Sequence, residues 1–219
     1  MMNIIEKIKA HKKEVLSRKV PDNLQICPKC GGNSRFFKLH DSRFRLFLVI
    51  VDCFVKQVEA LLGRWKCPLC HRTSTYYPDF AIPYKRYVKD NILQLSQKYL
   101  EGDNSTYETV VRKEDAAIAY DSADSKKYDS YLAGTTVWWW LHYIGSLKHV
   151  VSKAFSLIRE KDPSSEIFRQ IQPIKAKKYR SNERKKVLQR CARLLNAEAE
   201  FRRLFSSSIF PHFAILSTS

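Results

Sequence analysis

Apolar positions change period along this chain, and the changes divide it into segments. Asn3–Val15 places Ile4, Ile5, Ile8 and Val15 at roughly helical spacing between lysines, which predicts a short amphipathic helix stopped by Pro21. Arg35–Leu39 and Arg43–Val55 are rich in Phe, Val and Ile and are separated by His40–Asp41–Ser42, a pattern of strands joined by a tight turn. From Tyr87 the period returns to that of a helix, with Val88, Ile92, Leu95, Tyr99 and Leu100 forming a stripe closed by Gly102–Asp103–Asn104. Ser105–Thr106 followed by Glu108 reads as an N-cap with an acidic first turn, opening a helix through Arg112. Residues 113–130 are polar and mixed, and Thr135–Ile144 reads as a compact helix.

Beyond Gly145, the residues Leu147, Val150, Val151, Ala154, Phe155 and Ile158 mark another amphipathic helix, ended by Asp162–Pro163. Ser164–Ile171 has room for a short helix before Pro173. Lys175–Arg180 is a charge run, read as a solvated linker or arm. Glu183–Phe205 is the longest helix, with Val187, Cys191, Leu194, Leu195, Phe201 and Phe205 on one face. The tail Ser206–Ser219 is apolar without period and receives no element. The expected organisation is an N-terminal basic helix (1–20), a ribbon (21–87), a helical segment (88–145) and a basic helical C-terminal region (146–219). The fold class is α+β, a small antiparallel ribbon followed by a mostly α-helical region.

Charge narrows the class. The 219 residues carry 39 Lys+Arg against 22 Asp+Glu, a net charge of +17. The basic excess lies at the two ends: residues 21–87 hold net +6 and residues 175–219 net +8, while 88–145 hold net −3. Such a balance is the electrostatic footprint of a nucleic-acid binder. The longest apolar run, Leu46–Val51, is far shorter than the roughly 20 residues of a bilayer-spanning helix, and no secretory leader is legible. The expectation is a soluble basic protein of the cytoplasm, nucleoid-associated and without a membrane partner.

The cysteines carry the chemistry. Cys27-Pro28-Lys29-Cys30 and Cys67-Pro68-Leu69-Cys70 are two C-x-x-C pairs 36 residues apart. A tight turn with two thiolates two residues apart directs both sulfurs at one ion, and two such turns supply the closed tetrahedral set of structural zinc. Iron stays open on sequence alone. A closed four-cysteine set leaves no position for a reacting water, so the expected zinc is structural. Cys53 and Cys191 sit on apolar faces and read as core residues.

Past the second pair the chain reads Arg72-Thr73, then Tyr77-Pro78-Asp79-Phe80 and Pro83-Tyr84-Lys85-Arg86-Tyr87; further on comes Ala133-Gly134-Thr135-Thr136-Val137-Trp138-Trp139-Trp140-Leu141. Over residues 25–145 it resembles an uncharacterised family of mobile-element proteins with a transposase-like zinc ribbon followed by a helix-turn-helix. The resemblance implies DNA binding, with the Thr135–Ile144 helix in the recognition position although it holds no Lys or Arg. Phosphate contacts are expected from Arg43, Arg45, Arg64, Lys66, Arg72, Lys85 and Arg86 around the ribbon. A second set is Lys175, Lys177, Lys178, Arg180, Arg184, Lys185 and Lys186 in the arm.

An acidic catalytic triad on an alternating strand–helix core, a phosphate-cradling glycine loop and an H-E-x-x-H helix are all missing from the sequence, so no enzyme is expected. The leading reading is a zinc-stabilised accessory of transposition or recombination that holds duplex DNA and works beside a separate transposase or recombinase. The rivals are a non-catalytic protein-interaction scaffold and an RNA-binding zinc-ribbon protein.

Overall fold

A computed structural model describes residues 3–22, 24, 26–113, 116–121, 131–169 and 173–210. The fold is mixed α+β: a small sheet and six α-helices among the described residues. It divides into two compact units, residues 1–49 with 57–88, and residues 50–56 with 89–219.

The first unit begins with α1 (Ile4–Leu16). Asn3 caps it: its side-chain oxygen accepts from the Ile5 N–H at 3.1 Å, while its own N–H donates to the Glu6 carboxylate at 3.0 Å. The helix buries Ile8, His11 and Val15, so its apolar spacing faces the core. Two long strands follow, β1 (Lys38–Val51) and β2 (Phe54–Lys66). The expected turn at His40–Asp41–Ser42 is instead continuous strand, and the reversal falls at Asp52–Cys53, where Asp52 takes φ 56°. Residues 40–44 are exposed on both faces of β1, so polar side chains there lose no hydration and do not break the strand. Asp tolerates the left-handed backbone that a two-residue turn requires. Strand β3 (Thr73–Thr75) pairs antiparallel with β2, Arg64 opposite Thr75 and Lys66 opposite Thr73.

The hairpin tip, residues 50–56, belongs to the second unit. There Asn91 accepts from the Ile50 N–H at 2.8 Å and donates to the Ile50 carbonyl at 3.4 Å. Asn91 lies on α2 (Lys89–Glu101), which is followed by the single-turn α3 (Tyr107–Val110). The chain does not stay helical through Arg112: short strands β4 (Arg112–Lys113) and β5 (Ala116–Ala117) pair antiparallel, and β6 (Ala119–Tyr120) runs parallel to the start of β2. The rest of the polar insert, 122–130, lies outside the described residues. Helices α4 (Gly134–Ser146), α5 (Lys148–Lys161) and α6 (Asn182–Phe205) complete the unit.

Helix α6 packs against both α4 and α5. The α4–α6 crossing is close because Gly145 has no side chain: a Cβ there would run into the carbonyl oxygen of Val187 and lie 2.7 Å from its Cγ1. Val137, Leu141 and Ile144 of α4 and Leu188, Cys191 and Leu194 of α6 are fully buried. After α6 the chain turns at Ser206 (φ 51°) and folds back, burying Ile209 and Phe210. Buried Glu198 holds this return by accepting from the Arg202 guanidinium at 2.6 Å, the Ser208 hydroxyl at 2.6 Å and the Ile209 N–H at 2.8 Å. The remaining tail, 211–219, lies outside the described residues, as do residues 170–172. No helix among the described residues is long and apolar enough to cross a membrane.

Candidate metal centre

Each C-x-x-C pair folds into the same small loop. In the first, Gly31 N–H donates to the Cys27 carbonyl at 2.9 Å and Cys27 N–H donates to the Gly32 carbonyl at 2.8 Å. In the second, His71 N–H donates to the Cys67 carbonyl at 3.0 Å and Cys67 N–H to the Arg72 carbonyl at 2.9 Å. The residue after each second cysteine is left-handed: Gly31 at φ 69° and His71 at φ 60°. Glycine takes that conformation freely, whereas His71 is held there by the loop.

The two loops bring all four sulfurs together. The Sγ atoms of Cys27, Cys30, Cys67 and Cys70 all lie within 4.8 Å of one another. Cys27 Sγ is 3.4 Å from Cys70 Sγ, and Cys30 Sγ is 3.6 Å from Cys67 Sγ. Four sulfurs at about 2.3 Å from a tetrahedral zinc lie about 3.8 Å apart, so the set fits such an ion. Electrostatics agrees. Burial opposes the Cys27 thiolate, but N–H groups of Cys30 and Lys29 and the thiols of Cys70 and Cys30 outweigh it and bring Cys27 down to about 6. At Cys30 the Gly32 N–H favours the thiolate, yet burial and hydrogen bonds with Cys70, Cys27 and Cys67 push it up to about 12. Without a cation the cluster resists a second negative charge, and a dication removes that conflict. The four cysteines could therefore bind a metal ion.

The ribbon core is built on the same sulfurs. Cys27 and Cys67 share a buried cluster with Leu24, Phe37, Trp65 and Tyr76, and Trp65 is fully buried. Of the other cysteines, Cys191 is buried in α6, where desolvation raises its thiol, and Cys53 sits half-buried at the hairpin turn.

The cations expected to meet phosphate fall into two groups. Arg43, Arg72 and Arg86 are exposed and, among the described residues, have no carboxylate partner. Arg64 and Lys66 are half-buried on β2, and Arg64 donates to Thr73 Oγ1 at 3.0 Å. Arg45 is half-buried: it donates to the Lys85 carbonyl at 3.0 Å and to Tyr77 Oη at 3.4 Å, over the Phe47 ring. Lys85 is half-buried, which lowers its ammonium below the ordinary value.

The C-terminal cluster is clamped rather than extended. Lys178 is buried, and its ammonium donates to the carbonyls of Tyr99 and Gly102 (2.7 Å) and to Ser105 Oγ (2.7 Å). It thereby satisfies carbonyls that the end of α2 leaves open. Lys175 pairs with Asp103 at 2.5 Å and Lys177 donates to Asn104 at 2.7 Å. A ladder of rings and cations continues from there. Lys178 lies 4.5 Å over Tyr99, Tyr99 stacks on Tyr107 at 4.4 Å, and Arg184 donates to Tyr107 Oη at 2.8 Å. Arg184 also lies 4.9 Å over Trp138, which stacks on His142. Lys185 sits over Tyr179, and Arg180 and Lys186 are exposed.

The exposed aromatics of the ribbon carry no signal in the sequence. Lys12 lies 5.2 Å over Phe44, which is 60% exposed, and Arg35 lies 4.6 Å over Phe36, which is 57% exposed. A lysine on α1 and a phenylalanine 32 residues later share no pattern in one dimension.

Among known proteins, residues 27–116 match a family described as Domain of unknown function (DUF6431). That span starts at Cys27 and includes both cysteine pairs, β1, β2, β3 and α2. No curated protein and no solved structure matches the chain.

Proposed function

We propose that this is a non-catalytic, zinc-stapled protein that holds duplex DNA, an accessory to transposition or recombination working beside a separate recombinase. The observation that carries the reading is the ribbon's exposed cations, Arg43, Arg72 and Arg86, which have no carboxylate partner among the described residues, together with exposed Phe36 and Phe44 under Arg35 and Lys12. Unpaired surface cations attract a phosphate backbone by counterion release, and exposed rings add contact area beside them. Zinc suits the four-thiolate set, and its role in this reading is to hold the surface rigid.

In the same reading α2, α3 and α4 form the helix-turn-helix-like unit expected from the mobile-element resemblance. Helix α4 has no Lys or Arg, so that unit positions rather than grips. Fluorescence anisotropy with a mixed-sequence duplex across a salt series tests the proposal. Binding at 50 mM salt that weakens steeply toward 200 mM supports it, with each of Arg43→Ala, Arg72→Ala and Arg86→Ala reducing the logarithmic salt slope by about one. No duplex binding at low salt overturns it, and preference for structured RNA in competition redirects it to RNA.

One observation favours a protein-interaction scaffold instead. Trp139 on α4 is 60% exposed, flanked by Trp138 and His142. A partner seated on α4 would cover it, and stable self-association in light scattering with no response to DNA supports that second reading.

A further inference from the structure

Most arginines of α6 are already engaged. Arg190 pairs with Glu183, Arg202 with Glu198 and Asp90, Arg203 with Glu200 and Asp162, and Arg184 bonds Tyr107. Arg193 differs, and so does Arg159 on α5: among the described residues neither has a carboxylate partner or a hydrogen bond. Both line one open groove of about 460 Å³, together with Ser152, Phe155, Ser156 and Glu160.

The two guanidiniums are not loose. Arg193 lies 4.9 Å from the centroid of Phe155, and Arg159 lies 4.9 Å from that of Phe168. The two rings meet edge to face at 5.9 Å, so the arginines rest on one aromatic support. Stacking restrains the planar donors while leaving their edges unsatisfied. Ser152, Ser156 and Arg159 stand at i, i+4 and i+7 on the same face of α5; the Ser152 hydroxyl donates to the Lys148 carbonyl at 3.2 Å, and Ser156 adds a second hydroxyl beside the guanidinium. Glu160 is the one carboxylate among the lining residues.

From this arrangement we infer that the α5–α6 groove is a second nucleic-acid contact, taking phosphodiester groups of duplex DNA on Arg159 and Arg193. Two restrained guanidiniums, with the Ser156 hydroxyl beside them, match phosphate oxygens, which accept bidentate and short charge-assisted hydrogen bonds. The groove is open, so a small phosphate compound would stay largely solvated in it. A polyanion gains instead from many contacts and from released counterions. Surroundings agree: α5 carries four Lys or Arg residues against one Glu. The inference rests on the DNA-binding reading and adds a site outside the ribbon and the Lys175–Lys186 cluster.

The test uses the full chain and a fluorescein-labelled mixed-sequence duplex of about 20 base pairs, titrated between 50 and 200 mM salt. For the double variant Arg159→Gln with Arg193→Gln, affinity falls at least tenfold and the logarithmic salt slope becomes shallower by about two. Arg159→Lys with Arg193→Lys keeps the slope but loses part of the affinity, because the charge remains while the flat, stacked donor is lost. Metal content and melting temperature serve as fold controls. Should the glutamine variant melt early, Ser156→Asp at an exposed helix position places a carboxylate in the groove and weakens binding in the same assay. A parent protein that binds duplex, with variants of unchanged affinity and slope, overturns this inference alone. A parent protein that binds no duplex at 50 mM salt overturns the DNA-binding reading and this site with it.

Discussion

Each of the two units is stabilised internally by different physics. The ribbon unit joins four clustered sulfurs and a cluster around Trp65 to buried apolar residues such as Ile8, Phe47, Leu62 and Ile82, and its two cysteine loops close through their own backbone hydrogen bonds. The helical unit has no such staple among its described residues. It relies on buried faces of α4, α5 and α6, on the glycine that lets α4 approach α6, and on a buried carboxylate that folds the chain back after α6. Two cysteine loops that a metal could join add a cross-link to one unit, whereas three packed helices rely on buried contacts alone. The same division appears in the cations. Arg43, Arg72 and Arg86 on the ribbon stay open to solvent, while much of the Lys175–Lys178 run is spent on helix ends and ion pairs.

Breaking that contrast begins with the metal. Cys67→Ala removes one of four sulfurs that could bind a metal ion; in the zinc-stapled reading, where binding is coupled to folding with free energies of about 10 kcal/mol or more, the ribbon is expected to lose its structure. Amide NMR resonances of residues 27–76 collapse toward random-coil positions, while those of α4, α5 and α6 remain dispersed. The reciprocal change is Gly145→Ala. Overpacking against the Val187 carbonyl lowers the stability of the helical unit by about 2–3 kcal/mol, read by urea denaturation, and leaves metal content unchanged.

Glu198→Ala comes next. It leaves the Ser208 hydroxyl and the Ile209 N–H without their acceptor and lowers stability by about 2 kcal/mol, seen also as faster proteolysis after Phe205.

How much of this was legible in one dimension depends on what the pattern encodes. Two C-x-x-C pairs encode geometry directly, because two residues of spacing within a turn fix where both sulfurs point, so Cys27, Cys30, Cys67 and Cys70 could be grouped at sight. Amphipathic stripes encode burial, and α1, α2, α5 and α6 emerge within a few residues of their expected bounds. The hairpin turn was hidden because Asp41 and Asp52 are equally turn-like, and only the exposure of residues 40–44 separates them. Lys178 was hidden for a related reason: an ammonium in water and one on three buried acceptors have the same letter. The close approach at Gly145 depends on Val187, 42 residues away, and no local signal announces it.

Smaller effects sharpen the comparison further. Hydrogen bonds from Arg203 and then Ser165 hold the Glu200 carboxyl down to about 2, well below its ordinary 4.5. A depressed carboxyl contributes stability above its unfolded value and loses it as pH falls toward the folded one. The helical unit therefore weakens between about pH 5 and pH 2, and Glu200→Gln flattens that part of the profile. The smallest expected change is His71→Gly. Relief of a left-handed non-glycine residue, offset by backbone entropy, raises the ribbon's melting temperature slightly, by an amount corresponding to about 0.5–1 kcal/mol.

Elemental analysis of the purified full chain, paired with amide spectra before and after a strong chelator, addresses the staple itself. The account predicts one zinc per chain, lost together with the dispersed resonances of residues 27–76 while the α4–α6 signals persist. A chain free of any transition metal that shows the same dispersed ribbon spectrum would contradict it.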